Sequence, residues 1–328
     1  MPTNLPPQYF EVEKRYRAAK ETSEKIECLE EMLTIIPKHK GTDRLRGDLR
    51  RKLSKLKTSA QVRKGGSRRV DAYSISKEGP GQVVVAGAAN TGKSSLVATL
   101  TNAEPEVSPS PHSTWKPTPG MMPVEDIQIQ LIDTPPLDRD FAEPGLIDLI
   151  RRADLVLLMV DIQAHPIQQL EQALDLLLEH RIAPQHMQDS YQDRPRMTFP
   201  PFLLIVNKND DDQSDQDVEV LQELIEGDWP LVAVSTETAR NLESLKRAVF
   251  DRLDIVRVYS KAPGKDPDLG VPYVLQKGNT VSDLAAKVHK DFVENLKAAR
   301  VWGSTAFEGQ MVARDYVLHD GDIIELRT

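Results

Sequence analysis

Cysteine occurs once in this sequence, at Cys28, so an internal disulfide cannot form and a thiol cluster for zinc is absent. No apolar run reaches the ~18 residues that a membrane span requires. The opening stretch, MPTNLPPQYFEVEKRYR, lacks the apolar core of a secretory signal. The seven histidines are scattered, and none stands at a metal-ligand spacing. These absences exclude disulfide scaffolds and zinc-finger modules, and the expectation is a cytoplasmic protein with no membrane partner.

What is present is unevenly distributed. The net charge is −8, yet Lys38–Arg69 holds 13 Lys or Arg against only Asp43 and Asp48, a local balance of +11 that leaves −19 on the remainder. Phosphates release counterions when a dense basic segment binds them, so such a segment binds nucleic acid without reading its sequence. Contact with RNA or the ribosome is therefore expected, and a solvated basic helix is the alternative.

A chain of 328 residues, 39% of them hydrophobic, is long enough for two domains and an extension. Residues 8–57 are rich in Glu, Lys, Arg and Leu, with Pro and Gly concentrated between Pro37 and Gly47, which predicts a helical hairpin. From Gln82 onward, short apolar runs alternate with helical patterns: QVVVAG, IQIQLID, DLVLLMVD, FLLIVN and LVAVS. Runs of this kind suit strands buried on both faces, as in a doubly wound, mainly parallel α/β sheet. One intervening helix is expected from Pro166 and another behind an Asn241 cap. After Val256, short strands surround one helix expected over Thr280–Lys297, with Thr280 and Asp283 as its capping pair. The predicted division is 1–70 as a basic helical extension, 80–255 as the α/β domain and 256–328 as a small α+β domain.

The chemistry is concentrated in the α/β part. Gly87 to Ser94 reads GAANTGKS and fits G-x-x-x-x-G-K-[ST], directly after an apolar strand and before a helical run. Glycines let backbone N–H groups wrap phosphates, Lys93 supplies a cation, and Ser94 can ligate Mg²⁺. Candidate nucleotide contacts are therefore Gly87, Asn90, Thr91, Gly92, Lys93, Ser94 and Ser95. Asn207-Lys208-Asn209-Asp210 follows the strand FLLIV, and a carboxylate at Asp210 can accept from both N1–H and the 2-amino group of guanine, a donor pair adenine lacks. An acidic surface turn is the bland alternative, since Asp211 and Asp212 follow. Ser235 and Thr236 complete the base side. Asp133, closing IQIQLID, stands where a carboxylate holds water on Mg²⁺. Between lies the proline-dense EPEVSPSPHSTWKPTPG, with Thr114 inside it, either a stiff linker or a switch loop.

GAANTGKSS, HSTWKPTPG, DTPP, NKND and VST together resemble the Obg-like translation-factor GTPases. KHKGTDRLRGDLRRKLSKL is similar to the helical segment before the GTPase core of the developmentally regulated GTP-binding proteins. The stretch from VRVYSK to KVHKDF, with ARVWG and HDGDIIEL, is similar to their C-terminal TGS domain. The resemblance implies a P-loop GTPase domain, a β-grasp (ubiquitin-like) TGS domain, GTP hydrolysis and association with ribosomes or RNA. It assigns Lys93 to the phosphates, Ser94 and Thr114 to Mg²⁺, Asp133 to the outer shell of the metal, and Asn207, Lys208, Asp210 and the Ser235 backbone to the base. Catalysis would rest on Lys93, Thr114 and Asp133. It also puts Asn90 where potassium-dependent relatives help to bind K⁺, although a loop-stabilising asparagine serves equally.

Two departures stand out. Only about 20 residues separate the helix ending near Arg181 from FLLIVN, too few for the inserted domain these proteins usually carry, so partner binding through it loses its basis and a protein partner is left open. The family pattern Asp-x-Pro-Gly also ends here in Pro136, which has no N–H to offer a γ-phosphate, and Leu137 follows where a water-orienting glutamine would be needed. Weak hydrolysis, or a nucleotide-binding scaffold without it, is the expectation. Arg139, Arg151 and Arg152 are minor candidates for an arginine near the phosphates. Trp302 and Tyr316, with nearby lysines, fit either the small domain's core or an RNA-facing side.

Overall fold

The computed structural model describes residues 12, 14–16, 28, 29, 31, 32, 35, 73–103, 116–137, 143–305 and 307–327. The chain divides into two compact units, Met1–Asp71 and Ala72–Thr328. In the first, the described residues are helical, Val12, Cys28, Leu29 and Met32 are buried, and Arg15 meets Glu31 at 3.0 Å. The remainder of the expected hairpin and the basic segment Lys38–Arg69 lie outside the described residues.

The second unit contains two sheets. The first is built from β1 (Gln82–Gly87), β2 (Thr118–Val124), β3 (Ile127–Asp133), β4 (Leu155–Asp161), β5 (Phe202–Asn207) and β6 (Leu231–Ala233), in the order β2-β3-β1-β4-β5-β6. All pairings are parallel except β2 with β3. Successive strand residues serve opposite faces, which is why the strands read as continuous apolar runs. Val84, Ala86, Val156, Leu158, Leu204 and Val206 pack under α2 (Pro144–Arg151) and α3 (Pro166–Glu179). Val83, Val85, Leu155, Leu157, Leu203 and Ile205 pack against α1 (Lys93–Leu100) and α5 (Leu242–Arg252). A further helix, α4 (Asp212–Leu224), follows β5.

The second sheet has the order β10-β9-β11-β7-β8, from β7 (Ile255–Lys261), β8 (Pro267–Gln276), β9 (Ala298–Trp302), β10 (Gln310–Val312) and β11 (Asp322–Arg327). Val256, Val258, Val301 and Ile324 of the sheet form its core with Val281, Leu284 and Ala285 of α6 (Val281–Val288), the arrangement of a β-grasp.

Several expectations are corrected. β2 was hidden because Pro119 and Pro123 argue against a strand; it survives as an edge strand, where a missing N–H leaves no ladder bond unmade. The helix expected over Thr280–Lys297 breaks at His289, whose backbone is extended, and resumes as α7 (Lys290–Asn295). The capping pair holds, with Thr280 N donating to Asp283 Oδ2 at 2.7 Å. Asn241 stands at the N-cap of α5 but makes no side-chain cap; its amide instead donates to the Ala233 carbonyl at 3.0 Å. Between α3 and β5 there is one 3₁₀ turn, Gln185–Tyr191, and a bridge from Ile182 to Thr198, with no inserted domain.

Arg257 on β7 ties the second sheet to the first. Its guanidinium meets Asp126 Oδ1 at 2.9 Å, Asp320 Oδ2 at 2.7 Å and Glu125, while the Tyr259 hydroxyl donates to Asp126. Glu125 and Asp126 form the two-residue turn joining β2 to β3, so the far tip of that hairpin is clamped. The Arg257 and Tyr259 bonds outweigh burial and hold Asp126 below the usual carboxylate range; Arg257 does the same for Asp320. Carboxyls lowered on folding stabilise at neutral pH, and that contribution is lost as pH falls below the ordinary value of 3.8. Arg257→Ala should cost about 2 kcal/mol at pH 7, leaving three carboxylates facing one another. Urea unfolding of both proteins should show the difference shrinking toward pH 3.

Candidate nucleotide-binding site

Gly87, Asp133 and Asn207 end the parallel strands β1, β3 and β5, and the loops that follow lie where a doubly wound sheet leaves a crevice. Gly87 ends β1 at φ 149°, and a Cβ there would stand 2.4 Å from the Met159 carbonyl. Gly92, at φ 93°, precedes α1, and its Cβ would stand 2.2 Å from Asn207 Nδ2. Both positions thus require glycine for shape as well as for space.

Lys93 curls back over this turn and donates to the Ala88 carbonyl at 2.7 Å. Burial strips water from its ammonium and brings its pKa down to about 8, against the opposing pull of Asp133. Ser94 Oγ donates to Asp133 Oδ2 at 2.6 Å. Burial pushes the Asp133 carboxyl up, the Ser94 hydroxyl and Lys93 hold it back, and Oδ1 is buried without a hydrogen-bond partner among the described residues. Beyond it the chain is fastened to the end of β1: Thr134 Oγ1 donates to the Val85 carbonyl at 2.7 Å and Leu137 N to the Gly87 carbonyl at 3.0 Å. The Leu137 side chain is buried against the cluster under α2.

On the base side, Asn207 joins three loops. Its Nδ2 donates to the Thr91 carbonyl at 2.8 Å, and its Oδ1 accepts from Thr236 N at 3.2 Å. Lys208, at φ 64°, is ion-paired with Asp161 at the end of β4. Asp210 accepts from Ser235 Oγ on one oxygen and from Gln163 Nε2, at 3.1 Å, on the other. Asp211 does different work, capping α4 through Ser214 N at 2.9 Å. The acidic run therefore splits: Asp211 belongs to the helix, and Asp210 is held by side chains from two other loops.

Thr91 is buried, with its hydroxyl donating to the Ala88 carbonyl at 3.1 Å, and Ser95 lies half-buried on α1. Asn90 is exposed at φ 63°, a backbone that asparagine tolerates better than most residues. Thr114 and Arg139 lie outside the described residues. Arg151 is bound to Asp148 and to the His180 carbonyl, and Arg152 to the Tyr73 carbonyl. Asp161 and Gln163 belong to none of the sequence motifs. Asp161 ends an apolar strand just as Asp133 does, a usable signal, whereas nothing in the sequence marks Gln163.

A family model described as 50S ribosome-binding GTPase matches residues 82–208, and the TGS domain model matches 256–328. An uncharacterized GTP-binding protein of Methanocaldococcus jannaschii is 30% identical, with 92% of each chain covered. Developmentally-regulated G-protein 1 of Arabidopsis thaliana is 25% identical over 92% of this chain and 90% of its own. The chain belongs to the developmentally regulated GTP-binding protein family. Ribosome-interacting GTPase 1 of Saccharomyces cerevisiae, another relative of this GTP-binding family, is 25% identical over 93% and 98% of the two chains. The solved structure of the Schizosaccharomyces pombe YchF GTPase shares the fold, at a TM-score of 0.51 and 12% identity over 77% of this chain and 99% of that one. The alignment to the M. jannaschii protein spans 364 positions but covers 92% of these 328 residues, so about 60 positions have no counterpart here.

Gly92→Ala should weaken guanine-nucleotide binding at least about tenfold, because the methyl group would displace Asn207 and force a right-handed residue into a left-handed turn. Calorimetric titration measures the loss, and an unchanged far-UV circular dichroism spectrum would show that the fold is kept.

Proposed function

We propose that this protein is a Mg²⁺-dependent guanine-nucleotide switch of the cytoplasm that hydrolyses GTP slowly and works on the ribosome or its RNA. The observation that carries the reading is the Asn207–Thr91 bond, which joins the phosphate turn to the base loop so that the two ends of one nucleotide meet a single rigid surface. In this reading Gly87, Asn90, Thr91, Gly92, Lys93, Ser94 and Ser95 surround the phosphates, and Lys208, Asp210, Ser235 and Thr236 surround the base.

The residues present fit the metal. A buried carboxylate, bonded to a serine hydroxyl on one oxygen and with no hydrogen-bond partner among the described residues on the other, is an anionic site that a hard cation would complete. Ser94 and Thr114 would ligate Mg²⁺, and Asp133 would hold its water. When bound, the metal offsets the charge of the phosphate oxygens. Lys93 positions and neutralises the same phosphates. Asn90 is the residue through which K⁺ would act, and rates measured in KCl against NaCl decide it. The partner reading draws on the basic segment Lys38–Arg69, the TGS domain and the name of the yeast relative.

A test of the base assignment begins with protein freed of nucleotide and supplied with Mg²⁺. It should bind GDP at least about a hundredfold more tightly than ADP, and Asp210→Ala should abolish the preference. Equal binding of the two by the native chain defeats the proposal.

A second reading, a nucleotide-binding scaffold with impaired hydrolysis, is favoured by one observation. Pro136 has no N–H, and the next one, from Leu137, is already engaged by the Gly87 carbonyl. Loss of one charge-assisted hydrogen bond, about 1.5–3 kcal/mol, would lower discrimination between GTP and GDP about 10- to 150-fold. Pro136→Gly should restore it and raise multiple-turnover phosphate release, measured with and without ribosomes. An unchanged ratio and rate would remove the sensor argument.

A further inference from the structure

The short segment after β4 braces the base-reading loop from the side opposite Ser235. Asp161, 4% exposed, divides its carboxylate between two tasks: one oxygen pairs with the Lys208 ammonium, and the other accepts the Gln163 N–H at 2.9 Å. The Gln163 side-chain amide then reaches across to the loop. Its Nε2 donates both to the Lys208 carbonyl and to Asp210 Oδ2, each at 3.1 Å. The other oxygen of Asp210 is taken by the Ser235 hydroxyl. The carboxylate is thus pinned at both corners by donors from separate loops, and each oxygen keeps a lone pair for a ligand.

From this geometry we infer that Gln163 is a positioning residue for guanine: it sets the plane of the Asp210 carboxylate before nucleotide arrives. The inference rests on the guanine reading above and adds a determinant to it. A carboxylate meeting two parallel donors, N1–H and the 2-amino group, must present both oxygens in the plane of the purine. A single donor is satisfied over a wide range of rotation. Pinning the carboxylate therefore serves the bidentate contact in particular, since rotational freedom is removed in advance of binding.

The test compares GDP with inosine diphosphate, which lacks the 2-amino group, on the full-length chain freed of nucleotide. Gln163→Leu keeps an apolar stem of similar bulk and removes the amide. Because Gln163 is exposed, the thermal midpoint should stay unchanged. The expected result is a GDP affinity lowered about tenfold and an inosine diphosphate affinity lowered less than about twofold. In the Asp210→Ala background, Gln163→Leu should have no further effect on either nucleotide. An equal loss for both nucleotides, or no loss, overturns the positioning role while the native preference for GDP stands. A native protein that binds GDP, inosine diphosphate and ADP alike overturns the guanine reading and the inference together.

Discussion

The bond from the Asn207 amide to the Thr91 carbonyl is the contact on which the site depends. It crosses 116 positions of sequence and closes the gap between the turn that follows β1 and the loop that follows β5. Because Asn207 also accepts from Thr236, one buried side chain fixes three loops at once. Its geometry leaves no room for a side chain at Gly92, so the glycine required by the phosphate turn is required by the base loop as well.

Around that joint, the protein holds charge in a place where charge is costly. Lys93 and Asp133 are both buried, and burial opposes the charged form of each. Neither is fully compensated by the other: the ammonium leans on a backbone carbonyl, and one carboxylate oxygen has no hydrogen-bond partner among the described residues. A site that keeps such groups poised resembles a binding site more than a structural ion pair, since ligands bearing phosphate and a divalent cation would relieve both penalties.

Much of this was legible in the sequence. Strands β1, β3, β4 and β5 could be read from apolar runs because burial on both faces leaves no polar alternation to confuse them. The turn after β1 and the loop after β5 could be placed because their Gly-Lys-Ser and Asn-Lys-Asn-Asp patterns follow apolar strands. Strand β2 could not, since its prolines are tolerated only by an edge position that the sequence does not announce. Helix α4 was hidden for the opposite reason: DQSDQDVEVLQEL buries only Ser214, Val218 and Leu221, too sparse a stripe to stand out. Gln163 carries its role through a spatial neighbour 47 residues away, and no local pattern encodes that distance.

The clamp at Arg257 has a mechanical corollary. Strand β3 runs directly from the Glu125–Asp126 turn to Asp133, so the hairpin joins the buried carboxylate at one end to the ubiquitin-like lobe at the other. Sliding β2 and β3 by one residue, about 3.3 Å, would carry Asp126 beyond hydrogen-bond reach of both Arg257 and Tyr259. A displacement of that size at Asp133, passed along the hairpin, would have to break the joint or carry the lobe with it, so the joint ties the register of β3 to the position of the lobe.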